Sequence, residues 1–356
     1  MSPGSDEMKK LTCVILLVLG TISPGAAQDR PAQRPVRDAE AAHSSWSWND
    51  GWRRVHVESR GRIELTDDER DVKSVSTDGY FEISSRGWWS LFGQRYIVQG
   101  NANGSTTRRF MVGSAERTLD AETRAWIGDT IQHLARSGFA VESRVARILA
   151  REGPAGVLDA IPLASSDFVR AKYFLLLFSQ ARLDPRTAER AIRESAKEIG
   201  SDYELARVLM AAAESMTIDE ALAPAFLDAT NTIRSDYEHA RVLLRLLAKQ
   251  QTAVAETVII ASSSHIGSDY EQARVLTQVA EQKDLTDTAV LGIVRATNSI
   301  GSDYEKTRVL LKIVAAHPIE KTTQQAILET AAHIGSDHER GRVLSAMLRG
   351  GALTTR

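Results

Sequence analysis

The tetrapeptide Ser-Asp-Tyr-Glu recurs at a nearly constant interval, and that period limits the possible folds more than any other feature of the chain. It stands at Ser201–Glu204, Ser235–Glu238, Ser268–Glu271 and Ser302–Glu305, with a variant at Ser336–Glu339 and a degenerate copy at Ser166–Val169. The serines lie 35, 34, 33, 34 and 34 residues apart. Self-similarity at this period predicts a solenoid of two-helix units. A helix pair that cannot bury its own apolar stripe buries it against the next pair.

The motif reads as a stop-and-restart corner. Ser201 at the N-cap and Glu204 three residues on form the signature of a capping box. Asp202 falls in the first turn, where negative charge complements the helix dipole. The pairs Ile199-Gly200, Ile266-Gly267, Ile300-Gly301 and Ile334-Gly335 end the preceding helices, with glycine expected in the left-handed C′ position. Arg234 takes the glycine's place in one unit, where backbone strain is expected. First helices continue as Ala-Arg-Val-Leu or close variants. Second helices carry an apolar column, Ile192, Phe226, Ile259, Ile293 and Ile327, repeated seven residues later at Ile199, Ile233, Ile266, Ile300 and Ile334. A seven-residue step keeps one helix face. The last unit has only its first helix, Asp337–Leu348. Val343, Leu344 and Met347 are therefore expected to lack a covering layer and to offer a surface for a terminal partner or for self-association.

The motif also repeats a polar set. Tyr203, Tyr237, Tyr270 and Tyr304 precede Arg207, Arg241, Arg274 and Arg308 by four residues, with Phe168 and His338 at the ends of the row, Lys172 after the first and Arg342 after the second. Residues four apart share a helix face, so ring and guanidinium can stack. Two readings stand: a binding strip for an acidic or extended peptide, or a structural ladder joining each unit to the next.

The N-terminus reads as an export signal. Lys9-Lys10 precede an apolar run from Leu11 to Ile22, followed by Pro24-Gly25-Ala26-Ala27, with cleavage expected after Ala27. The run is shorter than the ~20 apolar residues a bilayer span needs. The single cysteine, Cys13, lies inside it, so the processed chain is expected to carry none, which suits an oxidising compartment. Residues 28–45, with Pro31 and Pro35 and no aromatic, read as a disordered spacer. The net charge of -2, from 44 Lys+Arg against 46 Asp+Glu, lacks the basic field of a nucleic-acid binder.

Between Trp46 and about residue 115 the pattern changes to short alternating runs: Trp52–Val57, Arg62–Leu65, Val72–Val75, Tyr80–Ile83, Tyr96–Val98 and Arg109–Val112. Turn signals such as Asp78-Gly79 and Asn103-Gly104 separate them. This is the signature of a small antiparallel sheet, too small to carry a core alone and so expected to pack on the helices that follow. Five of the six tryptophans lie here: Trp46, Trp48, Trp52, Trp88 and Trp89. They read either as core or as an aromatic platform for a glycan, peptidoglycan or a partner, with Trp88 and Trp89 the binding candidates because adjacent strand residues point to opposite faces. The resulting order is signal peptide 1–27, linker 28–45, β domain 46–115, connecting helices 116–165 and repeat array 166–356.

The sequence contains no His-Glu-x-x-His, Gly-x-Ser-x-Gly, phosphate-loop or dinucleotide signature. His333 and His338 are too weak a pair to read as a metal site. No metal and no cofactor is expected, and a dispersed active site stays open.

Two segments together carry a resemblance. One runs from Gly61-Arg62-Ile63-Glu64-Leu65-Thr66-Asp67-Asp68 through Asp71–Val75 to Gly79–Ile83; the other is the Ser-Asp-Tyr-Glu-x-Ala-Arg-Val-Leu array. The combination resembles uncharacterised exported bacterial proteins, and is similar to the periplasmic C-terminal regions of some integral-membrane zinc metallopeptidases of the β-lactam-sensor type. The likeness covers about residues 50–350. It implies an extracytoplasmic sensory or interaction module and transfers no catalytic residue, because the peptidase's transmembrane helices and zinc motif have no counterpart in these residues. The sequence thus predicts an α+β, mostly α chain: a small β unit followed by a HEAT-like α-solenoid. Its expected role is a non-enzymatic, periplasmic or secreted module that offers the repeat surface to a protein partner in the cell envelope, with no nucleic-acid partner and no span left after signal cleavage. The alternative is glycan or peptidoglycan binding through the tryptophans.

Overall fold

The computed structural model describes residues 43–50, 53–87 and 92–349. The chain is α+β and mostly α, in two compact units, one ending at Ala140 and one beginning at Val141.

The first unit holds eight strands: β1 (His43–Asp50), β2 (Arg53–Arg60), β3 (Ile63–Leu65), β4 (Val72–Val75), β5 (Tyr80–Gly87), β6 (Gln94–Gly100), β7 (Thr106–Val112) and β8 (Ala115–Arg117). Six of them form an antiparallel sheet in the order β1-β2-β5-β6-β7-β8, while β3 and β4 pair separately. Strict alternation turns Val55, Val57, Phe81, Ile83, Tyr96 and Val98 to one face. The register aligns Trp46, Val57, Ile83, Tyr96 and Phe110 in a single row across five strands. Helix α1 (Ala121–Arg136) lays Ile127, Ile131 and Leu134 against this face, joined by Phe139.

Two boundaries differ from the sequence reading. Strand β1 starts at His43, inside the stretch assigned to the spacer, because Ser44, Trp46 and Trp48 already alternate in the sheet's register. Segment 116–165 is not one connecting layer: α1 shares the sheet's core, whereas the residues from Val141 onward belong to the second unit. Trp46 meets Phe139 edge-on at 5.1 Å, and Trp48 lies 4.8 Å from the ring of His133. Both tryptophans of β1 therefore extend the hydrophobic core.

The second unit opens with α2 (Val141–Ala160), broken at Gly153 (φ 70°, ψ −169°) and restarted by Pro154. Only glycine adopts that conformation freely. The array follows: α3 (Asp167–Gln180), α4 (Pro185–Glu198), α5 (Asp202–Ser215), α6 (Ala223–Asn231), α7 (Asp236–Lys249), α8 (Ala253–Ser263), α9 (Asp269–Val279), α10 (Asp287–Thr297), α11 (Asp303–Ala316), α12 (Lys321–Ala332) and α13 (Asp337–Arg349). The odd-numbered helices from α3 pack on one another, and so do the even-numbered helices from α4, giving two layers with a continuous core from Val141 to Met347. The predicted columns fill it: Ile192, Phe226, Ile259, Ile293 and Ile327 are fully enclosed, and Ile199, Ile233, Ile266, Ile300 and Ile334 nearly so.

The C-terminal end departs from expectation. Val343 and Met347 are fully buried in this core, because α13 turns them onto α11 and α12. Leu344 is half-buried, and Leu348 is the apolar residue that α13 leaves to solvent. No helix among the described residues is long and apolar enough to cross a membrane.

One buried titratable group makes the array's stability depend on pH. His239 on α7 is enclosed, and its Nε2 lies 2.7 Å from Ser262 Oγ, which donates to Asn231 Oδ1. Ser262 therefore offers Nε2 a lone pair, and a neutral ring with its proton on Nε2 satisfies both. Burial, helped by the neighbouring His265, pushes the imidazole down to about 4. With the folded value below the unfolded one, the unfolded chain binds the extra proton between them. Stability is therefore complete above about pH 6.5, falls as pH drops towards 4 and is flat below, with a total on the order of 3 kcal/mol. In thermal melts across this range, His239→Gln is expected to flatten the decline. An unchanged slope would show that His239 is not its source.

Candidate functional site

The repeated corner is built from backbone donors that the end of a helix leaves free. Each motif serine caps its helix as expected: Ser201, Ser235, Ser268, Ser302 and Ser336 accept from the backbone N–H of the glutamate three residues on. The reciprocal half of the capping box is not made by that glutamate. The serine's own N–H is taken by the aspartate of the preceding unit: Ser201 donates to Asp167 at 2.8 Å, Ser235 to Asp202 at 2.9 Å, Ser302 to Asp269 at 2.8 Å and Ser336 to Asp303 at 2.9 Å. The glycine N–H joins the same carboxylate at Gly200, Gly301 and Gly335, and Gly267 donates to Asp236.

This geometry corrects the reading of the glycines. None of Gly200, Gly267, Gly301 and Gly335 has a positive φ. A side chain at these positions would face the incoming carboxylate, at 3.5 Å for Gly200 and 3.2 Å for Gly301. Glycine gives the carboxylate extra room at Gly301 and Gly335, where a side chain would be held tighter than usual, whereas at Gly200 and Gly267 the contact would be an ordinary one. Arg234 likewise lies outside the left-handed region, so the strain expected there is absent.

Freed from the capping box, each glutamate pairs with the arginine three residues on. The distances are 2.7 Å for Glu204–Arg207, 2.6 Å for Glu238–Arg241, 2.7 Å for Glu271–Arg274 and 3.0 Å for Glu305–Arg308. The arginines also lie over tyrosine rings. Arg207 covers Tyr203 and Arg241 covers Tyr237 within their own helices, while Arg274 reaches back to Tyr237 and Arg308 to Tyr270 of the preceding unit, all at 5.6–5.8 Å. Arginine thus belongs to the ladder that joins units, and its charge is matched by glutamate.

The tyrosines differ. Tyr203, Tyr237, Tyr270 and Tyr304 are 52–57% exposed, continued by exposed Phe168 at one end and His338 at the other. No hydroxyl partner is found for these four among the described residues. The structure therefore brings the predicted tyrosines and arginines into one strip but divides their roles. Trp88 and Trp89 lie outside the described residues. The linking function of Asp167, Asp202, Asp236, Asp269 and Asp303 was missed by local reasoning, which assigned them only to the helix dipole. The signal that could have found them is the period itself, since acceptor and donors recur together 31–34 residues apart. No protein family, curated protein or solved structure matches the chain.

Two substitutions separate these contributions. Asp269→Ala frees the N–H groups of Gly301 and Ser302 and is expected to cost about 1–3 kcal/mol. Gly200→Ala meets ordinary contact and no left-handed backbone, so it is expected to be neutral or to stabilise by up to ~1 kcal/mol. Urea denaturation checks both; marked destabilisation by Gly200→Ala would show that the carboxylate needs the glycine's extra room at this corner.

Proposed function

We propose that the protein is an exported, non-enzymatic interaction module of the cell envelope whose repeat array presents the tyrosine row to a protein partner. The observation that carries this reading is the exposure of four equivalent tyrosines. Their hydroxyls have no partner among the described residues, and arginines lie over the rings of Tyr203, Tyr237 and Tyr270, at the last two from the next unit. A rigid aromatic side chain supplies contact area at low cost in conformational entropy, which is why tyrosine recurs in binding surfaces. Glutamate compensates each arginine, so the strip is aromatic with paired charges and suits an extended peptide segment better than a strongly acidic one. Stacked helices lie about 8–10 Å apart. An extended chain advances about 3.3 Å per residue, so every third residue of such a segment would meet a tyrosine.

Site-specific photocrosslinking in the native host tests this. A benzophenone amino acid at Tyr237 is expected to yield a discrete protein adduct, identified by mass spectrometry. The same group at Gln325, exposed on α12 in the other layer, is expected to yield none. Equal labelling from both positions, or retention on insoluble peptidoglycan without a protein adduct, would overturn the proposal.

A further inference from the structure

The sheet of the first unit has a second face, opposite the one α1 covers, and its charges are arranged against its own stability. Along β2 this face carries Arg54, His56 and Glu58; along β5 it carries Arg86, Ser84 and Glu82. The register sets Arg54 directly opposite Arg86, and Glu58 directly opposite Glu82. Like charges in directly opposed positions of a sheet are destabilising, and exchanging the two charges on either strand would have given two attractive pairs. On β6, Arg95 faces Ser84, one step along the same face from Arg86, so three guanidiniums rise from three neighbouring strands.

No acid among the described residues answers them. Arg54, Arg86 and Arg95 are exposed, and none forms an ion pair with any described residue. Glu58, about 13 Å from Arg54 along the strand, is engaged elsewhere, by His56 Nε2 at 3.1 Å and the Tyr80 hydroxyl at 3.4 Å. His56 is fixed in turn by Ser47 Oγ at 2.7 Å. The three arginines, with Ser84 and Gln94, line one open cavity of about 470 Å³. That volume falls in the range of small-ligand sites. Planar guanidinium forks bind oxyanions in pairs of parallel hydrogen bonds, and several around one cavity favour a ligand bearing more than one negative charge.

We propose that this cavity is a binding site for a multivalent oxyanion, held by Arg54, Arg86 and Arg95, on a part of the molecule separate from the tyrosine row. Its occupant would neutralise the Arg54–Arg86 repulsion that the empty sheet carries. The shared chemistry is a cluster of phosphate or carboxylate groups, and the probes separate the two.

Isothermal titration calorimetry of the purified protein at low ionic strength, with tripolyphosphate in one arm and citrate in the other, tests the site. Acetate serves as the monovalent control. Saturable binding at one site per chain is expected from at least one multivalent probe, with none from acetate. The affinity should fall at least tenfold in Arg54→Gln and in Arg95→Gln, and should be unchanged in Arg186→Gln, exposed on α4. Thermal melts without any anion supply a readout independent of binding: Arg86→Gln removes the opposed charge and is expected to raise the melting temperature at low salt. Absence of saturable binding to both multivalent probes would overturn the proposal. So would equal affinity in the Arg54 and Arg95 variants, or a melting temperature lowered by Arg86→Gln.

Discussion

A carboxylate reaching from one repeat into the corner of the next is the interaction on which the array depends. The end of a helix and the start of another leave backbone N–H groups without intrahelical partners, and the half-buried serine N–H of each corner is costly to leave unpaired. In this chain the donors of Gly301 and Ser302 are met by Asp269, and those of Gly335 and Ser336 by Asp303. The solution is non-local: each unit completes its neighbour's cap. That makes the stack cooperative in a directional sense, since a unit's corner is finished only when the unit before it is folded. Stability in such an array is a sum of unit and interface terms, and the aspartate places a polar, geometrically strict component in the interface term. The apolar columns of isoleucine supply most of the burial but little orientation.

This division explains why one motif can both recur along the chain and stay partly open to solvent. Serine caps its own helix, aspartate caps the next corner, glycine lets that carboxylate approach, and glutamate holds the arginine that lies on the tyrosine. Four of the five positions are consumed by the architecture. Tyrosine is the remainder: its side chain stays about half exposed even where arginines lie over the ring. Recurrence alone would class all five as structural. Exposure separates the tyrosine from the rest, and only after the partners of the other four have been accounted for.

How far the sequence reveals the fold follows from how local each determinant is. The 34-residue period, the serine caps and the two isoleucine columns are written within single helices or at the repeat spacing, and all appear as expected. The capping box fails at Glu204 because the rule assumes an isolated helix, whereas the competing acceptor, Asp167, sits one unit away. The left-handed glycine fails for the same reason: the pattern Ile-Gly-Ser suits a Schellman ending, but the carboxylate of the preceding unit holds the corner open in an ordinary conformation. On α13 the sequence reading expects an uncovered apolar face. Burial of Val343 and Met347 shows that contacts with α11 and α12 suffice for the inward side of α13.

The arginine cluster of the sheet is the extreme case of non-locality. Arg54, Arg86 and Arg95 look like scattered surface residues in sequence, and no window or period joins them. They become neighbours only through the register that places Trp46, Val57, Ile83, Tyr96 and Phe110 in one buried row, because the alternation that commits those residues to the core commits the arginines to the opposite face. A shift of one residue in β5 would turn Ile83 outward and break the core. The hydrophobic row therefore fixes the charge arrangement, and the sheet cannot slip to separate Arg54 from Arg86 without exposing its own interior. The repulsion persists because the packing behind it is stronger, which leaves the cluster available to an anion from outside the chain.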